Sequence, residues 1–336
     1  MTEFLSKEGL FTWLRQIAGE RKLIAPVRMW GITLFRPVGS PEDIALDIDN
    51  TDLSAKDWFF PPSEALFTVE QQGGGRPLIT PATEDREAVL FGLRPCDALA
   101  ISHFDLPFLA EPADPLYRER REKTVLVGVA CARARPECFC TSAGTAPNDP
   151  SHMDILLTEA GDGYALQAVT EKGRQALGDT PLESRDIQLP PTPQPDPVPL
   201  AGINDIARQV FDAPYWDRLA DRCIHCNLCA YVCPDCYCFD IRDYSAKGKI
   251  ERVRCWESCQ SAGFTRLAGG HDPRSTKGAR LRQRFYHKFL YFPEQFGPTA
   301  CTGCGRCVRA CPVNIDIREV AAEMQKAAEQ VALETG

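Results

Sequence analysis

The sequence predicts an α+β chain: a mixed α/β domain over residues 1–188, a linker over 189–200, and a helical domain over 201–336. Three observations predict it. "LPPTPQPDPVPL", residues 189–200, carries six prolines in twelve residues, and such a run favours extended polyproline II over any helix or sheet interior. Before it, short apolar runs bounded by turn residues read as strands. After it, apolar residues recur at helical spacing around two cysteine-rich blocks.

The elements follow in order. "MTEFLSKEGLFTWLRQIAGERK" is amphipathic, with Leu5, Leu10, Phe11, Leu14 and Ile17 at helical spacing, and lacks the continuous apolar core of a secretory signal. The Gly73-Gly74-Gly75 run, followed by Pro77, reads as a loop, without the lysine and hydroxyl residue of a phosphate-binding loop. "KTVLVGVA" (123–130) reads as a buried strand, and "DILLTEAGDGYALQAV" (154–169) as two strands around a turn at Gly161-Asp162-Gly163. Beyond the linker, Ile203, Ile206, Ala207, Val210 and Phe211 form one helical stripe; Val320, Met324, Ala327, Ala328 and Val331 form another near the end.

Composition bounds the function. A net charge of −8 over 336 residues argues against nucleic-acid binding, which leaves a basic footprint. No run approaches 18 apolar residues, so no membrane span is expected and the chain reads as cytoplasmic. Sixteen cysteines, twelve of them after residue 222, would stay reduced in that compartment, which disfavours disulfides and leaves metal.

The spacing narrows the metal. Cys223-x2-Cys226-x2-Cys229-x3-Cys233-Pro234 recurs 78 residues later as Cys301-x2-Cys304-x2-Cys307-x3-Cys311-Pro312. C-x2-C-x2-C-x3-C-P is the bacterial ferredoxin run, in which the fourth cysteine ligates the other block's cluster. Three cysteines at intervals of three wrap one cubane. The fourth starts a helix, with proline where an N–H would go unpaired, and points away. One [4Fe–4S] cluster is therefore assigned to Cys223, Cys226, Cys229 and Cys311, and a second to Cys301, Cys304, Cys307 and Cys233, giving a helical, ferredoxin-like dicluster domain. Structural zinc instead takes two separated ligand pairs.

Eight cysteines remain. Cys96 in "FGLRPCDALAI", with Cys131, Cys138 and Cys140 in "VACARARPECFC", matches the shell of a third cluster; four buried structural thiols are the competing reading. A thiol nucleophile at Cys96 has only His103 nearby as a base. Cys236, Cys238, Cys255 and Cys259 offer a CxC and a CxxxC, the latter expected on one helix face, as a fourth metal centre or as packed thiols. His271 and His287 are either ligands or structural histidines. The basic stretch "HDPRSTKGARLRQRFYHK" opposes cluster charge, docks an acidic partner or is a solvated face.

The segments "LRPCDALAISHFDLPFL", "CARARPECFCTSAGTAP", "CIHCNLCAYVCPDCYCFD", "CWESCQSAGFTRLAGGHDPR", "RLRQRFYHKFLYFPEQFG" and "CTGCGRCVRACPVNIDI", in this order, resemble the iron–sulfur beta subunit of soluble [NiFe] hydrogenases of the sulfhydrogenase type. The A subunit of anaerobic sulfite reductase shares the pattern. The resemblance covers most of residues 54–320. It implies a protein without an active site of its own, relaying electrons between a flavin subunit that reacts with NAD(P)H and the small and large [NiFe] subunits. It also groups Cys96, Cys131, Cys138 and Cys140 as ligands. The family pattern commonly lacks a cysteine at the position of Cys255, so a centre on Cys236, Cys238 and Cys259 would take another fourth ligand, such as His271. The alternatives are the equivalent subunit of a sulfite- or sulfur-reducing complex, and a scaffold that the clusters merely hold together.

Metal analysis of the anaerobically purified chain is expected to find roughly eight irons or more and no stoichiometric zinc. Four or fewer in fully loaded protein rules out the paired ferredoxin sites.

Overall fold

Two nearly continuous apolar runs, AVLFGL and TVLVGV, fix the centre of the N-terminal part, because strands of that kind require cover on both faces. The computed structural model describes residues 1–72, 75–83, 87–246 and 248–335; Gly73 and Gly74 of the glycine run lie outside them. Strands β1 (Thr2–Ser6), β2 (Lys22–Met29) and β3 (Ile32–Val38) surround helix α1 (Lys7–Glu20). Helix α2 (Lys56–Phe59), strands β4 (Ser63–Glu70), β5 (Leu78–Pro81) and β6 (Ala88–Leu93), and helices α3 (Pro95–Phe108) and α4 (Pro115–Lys123) follow. Then come β7 (Thr124–Val129), β8 (Ile155–Ala160), β9 (Gly163–Ala168), α5 (Glu171–Leu177) and β10 (Glu183–Arg185).

Eight strands form one sheet in the order β10-β1-β9-β8-β7-β6-β2-β3. Its central strands β8, β7, β6 and β2 are parallel and the flanking pairs antiparallel. Helices α1 and α5 cover one face with Leu10, Trp13, Leu14, Ile17, Ala176 and Leu177. Helices α3 and α4 cover the other with Ala98, Ile101, Phe104, Phe108 and Tyr117. The expected strands at 123–130 and 154–169 are present. Leu5, however, belongs to β1 rather than to the helix, because Ser6 caps α1 by accepting the Gly9 N–H at 3.0 Å and so ends the strand there. Trp13 takes its place on the buried stripe and donates its indole N–H to the Ala176 carbonyl at 3.0 Å.

The segment 189–200 forms no helix or strand. Beyond it run α6 (Ile203–Gln209), α7 (Tyr215–Arg222) and α8 (Leu228–Tyr231), then strands β11 (Phe239–Ala246) and β12 (Lys249–Trp256). Helices α9 (Lys277–Tyr286) and α10 (Phe292–Phe296) join through a π-helical turn at His287–Tyr291, and α11 (Arg306–Arg309) and α12 (Ile317–Thr335) complete the chain. Trp216, Leu281, Phe285, Tyr286, Phe289, Val320 and Met324 form the helical core. Val320, Met324 and Ala328 of the expected terminal stripe are buried, while Val331 is exposed. No helix among the described residues is long and apolar enough to cross a membrane.

The helical texture expected after the linker is broken by the β11–β12 hairpin. This hairpin completes a second sheet, β11-β12-β4-β5, with strands from both sides of the linker. Cys255 therefore lies on a strand and Cys259 in the turn beyond it, not together on a helix face. The physical reason is the pairing of Arg252–Cys255 with β4, which satisfies backbone groups that a helix would have used internally.

A buried ion network fastens this sheet. Arg254 of β12, 3% exposed, pairs with Glu64 of β4 and with Asp114, the N-cap of α4, and Arg120 of α4 also reaches Glu64. Removing one member of such a network leaves a buried charge uncompensated, at a cost of about 3–5 kcal/mol. Arg254→Met is expected to lower stability by about 3 kcal/mol, read as a lower midpoint of anaerobic thermal unfolding with β-sheet signal lost first. An unchanged midpoint would show that the network does not hold the hairpin.

Candidate metal centres

The two cysteine blocks have the same local geometry. In the first, His225 and Asn227 adopt φ of 53° and 64°; in the second, Gly303 and Gly305, the residues 78 positions on, adopt 64° and 72°. A loop that winds tightly enough to aim three side chains inward needs left-handed residues at both positions. The second block must use glycine. A Cβ on Gly303 would lie 2.6 Å from Cys140 backbone atoms, and one on Gly305 2.6 Å from the Glu137 carbonyl oxygen. The first block carries side chains there: the His225 ring lies 3.3 Å from the Gln260 carbonyl, and Asn227 donates to the Ser261 hydroxyl at 3.2 Å.

Cys223, Cys226, Cys229 and Cys311, the first crossed set, line one cavity, with Cys307 in its wall beside Arg284. Backbone and side-chain N–H groups already point at its sulfurs: His225 N to Cys223 Sγ at 3.4 Å, Gln260 Nε2 to Cys229 Sγ at 3.2 Å and Ile315 N to Cys311 Sγ at 3.2 Å. In the second set, Cys233, Cys301 and Cys304 are buried and Cys307 half-buried. The thiol of Cys304 is pushed up to about 12, by burial first and then by Cys233 and Cys307. Cys307 is raised likewise, with both Cys233 and Cys229 near it. The structure thus brings each block's fourth cysteine to the other block's loop.

Cys96, Cys131, Cys138 and Cys140 line a further cavity, together with Cys304. Cys96 starts α3, just past β6; Cys131 follows the neighbouring parallel strand β7; Cys138 and Cys140 lead into a short 3-10 turn. The cavity therefore sits at the carboxyl ends of adjacent parallel strands, where open α/β sheets place their ligands. Cys96, Cys140 and Cys304 pack against one another. Burial pushes Cys131 up to about 11 and Cys140 up to about 12. Such thiols need compensating positive charge to act as thiolate ligands.

That charge is present. Lys56, Arg284, Lys288 and Arg306 are all buried. Lys288, carried by the π-helical turn, donates to Cys233 Sγ at 3.2 Å and to the Ala300 carbonyl at 2.7 Å. Burial opposes its proton, but Cys233, Cys236 and Asp235 hold its pKa well above the usual range. Arg284 is raised in the same way by Cys229, Cys307, Cys236 and Cys233, and its Nε has no hydrogen-bond partner. A buried guanidinium with an orphaned N–H requires an anion, and clusters held by four thiolates supply one.

The remaining candidates separate. Cys236 adjoins Cys233, and Cys238 adjoins Cys259, each pair sharing a side-chain hydrogen bond. Lys56 donates to the Cys236 carbonyl at 3.0 Å and its field, like that of Lys288, reaches Cys238. Cys255 faces the Ser63 hydroxyl at 3.8 Å, and His271 lies exposed with its carbonyl accepting the Leu267 N–H. Cys255 pairs across the hairpin with Asp240, two residues beyond Cys238. His287 is structural: its Nε2 lies 3.4 Å from the Tyr237 hydroxyl, and burial, with Lys288 beside it, pushes it down to about 4. His103 binds Asp235 at 2.7 Å, so α3 docks on the first block and the ring is not poised as a base for Cys96.

The basic stretch expected to oppose cluster charge supplies two of these cations, Arg284 and Lys288, while sequence reasoning missed Lys56 and Arg306 and did not foresee which of the stretch's charges are buried. Lys288 alone among the apolar residues of "FYHKFLYF" was the available signal, as was Arg306 inside a ligand loop where the first block has Leu228.

These features define an iron–sulfur protein with paired [4Fe–4S] clusters, and the comparisons agree. The 4Fe-4S dicluster domain matches residues 222–315. The Sulfhydrogenase 2 subunit beta of Pyrococcus furiosus is 30% identical over 324 residues, 91% of this chain and 92% of the relative. The chain belongs to the sulfhydrogenase beta-subunit family, and it is an iron–sulfur electron-transfer subunit. The pyruvate:ferredoxin oxidoreductase of Moorella thermoacetica is 26% identical over 52% of this chain but only 11% of its own length, and the pyruvate-flavodoxin oxidoreductase of Trichormus variabilis 25% over 50% and 10%. No solved structure matches.

Cys311→Ser is expected to change the EPR signal of the cluster in the Cys223–Cys229 loop, and Cys233→Ser that of the cluster in the Cys301–Cys307 loop. If each substitution disturbs only its own block's signal, the ligands are not crossed.

Proposed function

We propose that this chain relays electrons between a flavin subunit that reacts with NAD(P)H and the small and large subunits of a cytoplasmic [NiFe] hydrogenase complex. The observation that carries the reading is the sharing of cavity walls. Cys304 of the second set lines the N-terminal cavity, and Cys307 of the second set lines the first. These shared walls support reading the three sites as one file, as electron passage requires and a purely structural use of metal does not. The clusters, when bound, supply one-electron chemistry. The protein residues hold them in line, cover them with apolar side chains and balance their charge with Lys288, Arg284 and Arg306.

In this reading the division at the linker is one of labour. Residues 1–188 hold a third cluster on Cys96, Cys131, Cys138 and Cys140, and residues 201–336 hold the pair. Cys236, Cys238 and Cys259 are the thiols available to a fourth centre, with Cys255 and His271 requiring rearrangement to join it. A sulfite- or sulfur-reducing complex would use the same file and differs in its catalytic partner.

The test is Cys138→Ala in the full-length chain, a substitution in a half-buried loop. Iron is expected to fall by about four per chain, with the signals of the paired clusters retained. Electrons from NAD(P)H and the flavin partner should then no longer cross to the catalytic subunits, although dithionite still reduces the pair. Unchanged iron content would make the four N-terminal cysteines structural thiols.

A further inference from the structure

Of the four buried cations, Lys288 is the one that donates to a ligand sulfur among the described residues. Its ammonium lies 3.2 Å from Cys233 Sγ and 2.7 Å from the carbonyl of Ala300, one residue before Cys301. It is therefore held between the fourth cysteine of one block and the first of the other. The other three cations are engaged differently. Arg306 pairs with Asp97 at 2.7 Å, and Arg284 donates to the Cys229 carbonyl at 3.3 Å. Lys56 donates to the Cys236 carbonyl at 3.0 Å and stands 4.0 Å over the Trp256 ring. Two cations, Arg284 and Lys56, and one carboxylate, Asp235, act on Lys288 besides the thiols. His103 holds Asp235 at 2.7 Å, and Asp57, the carboxylate behind Lys56, pairs with Arg36 at 2.7 Å. Positive charge is in excess around Cys233 before any thiolate is counted. Reduction adds a negative charge to a cluster, and in this set Cys233, Cys301 and Cys304 are buried, with little water to screen it.

We infer that Lys288 sets the reduction potential at Cys233, Cys301, Cys304 and Cys307 and keeps that buried station reducible. The inference rests on the relay reading and names the residue that lets the middle of the file accept an electron. One electron enters from one neighbouring site and leaves to the other; no proton or group moves. A fixed unit charge hydrogen-bonded to a ligand sulfur favours the reduced state, which carries the extra negative charge, over the oxidised one. Burial works the other way, and the ammonium inside the site offsets it.

The experiment is a mediated redox titration of the anaerobic, full-length holoprotein followed by EPR, reading the signal that Cys233→Ser changes. Lys288→Met should lower the reduction equilibrium of that signal about tenfold or more, a shift of about 59 mV or more to negative potential for one electron. The other paired signal should move less. Lys288→Gln, which keeps a donor without the charge, should fall between, and Lys288→Arg should stay near the parent. Iron content is the control. Equal midpoints for the parent and Lys288→Gln, with iron retained, overturn the inference. So does loss of that cluster from all three variants, which would make Lys288 a structural residue. The midpoint is read on this chain alone, so the relay reading fails separately: parent protein that titrates normally yet takes no electrons from NAD(P)H and the flavin partner overturns the relay and not the role of Lys288.

Discussion

Arg306 and Asp97 form an ion pair from which water is excluded, at 2.7 Å with side chains 0% and 2% exposed, and the alignment of the two halves depends on it. Asp97 sits one residue after Cys96, and Arg306 lies between Cys304 and Cys307. The same guanidinium donates to the Thr51 carbonyl at 2.9 Å and the Thr51 hydroxyl at 2.8 Å. Neither charge is stable alone in that place, since an uncompensated buried ion costs several kcal/mol. The pair therefore forms only when the N-terminal loop and the second cysteine block are in register. Glycine completes the fit: Gly303 and Gly305 let the loop 137–140 come within contact of the block, and the Phe139 N–H donates to the Gly303 carbonyl at 2.8 Å.

The buried cations also bear on redox behaviour. Reduction potentials of iron–sulfur clusters respond to net charge, to hydrogen bonds at sulfur and to exposure. All three differ between the two paired cysteine sets. The second set has Lys288 against Cys233 and three of its four cysteines buried; the first has Arg284 on its inner side and Cys226 at the surface. The π-helical turn gives this arrangement a backbone cause. Inserting a wide turn at His287–Tyr291 lets a single lysine of an apolar helix face inward among the cysteines, while Phe289 and Leu290 still pack in the core.

Covalent spacing made the paired clusters legible. C-x2-C-x2-C-x3-C-P constrains where four sulfurs can go over eleven residues, so a paired [4Fe–4S] domain is legible in local spacing. The proline run, the apolar runs of β7 and β8, and the terminal amphipathic helix were legible for the same reason, as signals contained within a few residues. Leu5, Cys255 and Cys259 were misread because their spacing suits a helix; pairing with β9 makes Leu5 extended, pairing with β4 makes Cys255 extended, and Cys259 falls in the turn beyond.

The sequence by itself therefore determined the chemistry: four-cysteine loops, their duplication, and the α+β division. Tertiary structure alone decided how the sites connect. It set Cys96 and the 131–140 loop at the ends of adjacent parallel strands, lent Cys304 to their cavity, and wove β12 against β4 across the linker. It also turned Lys56, Arg284, Lys288 and Arg306 inward. Contacts between residues hundreds of positions apart leave no periodicity to read, and a charged residue is hydrophilic in any sequence pattern until the fold supplies the buried anion that holds it.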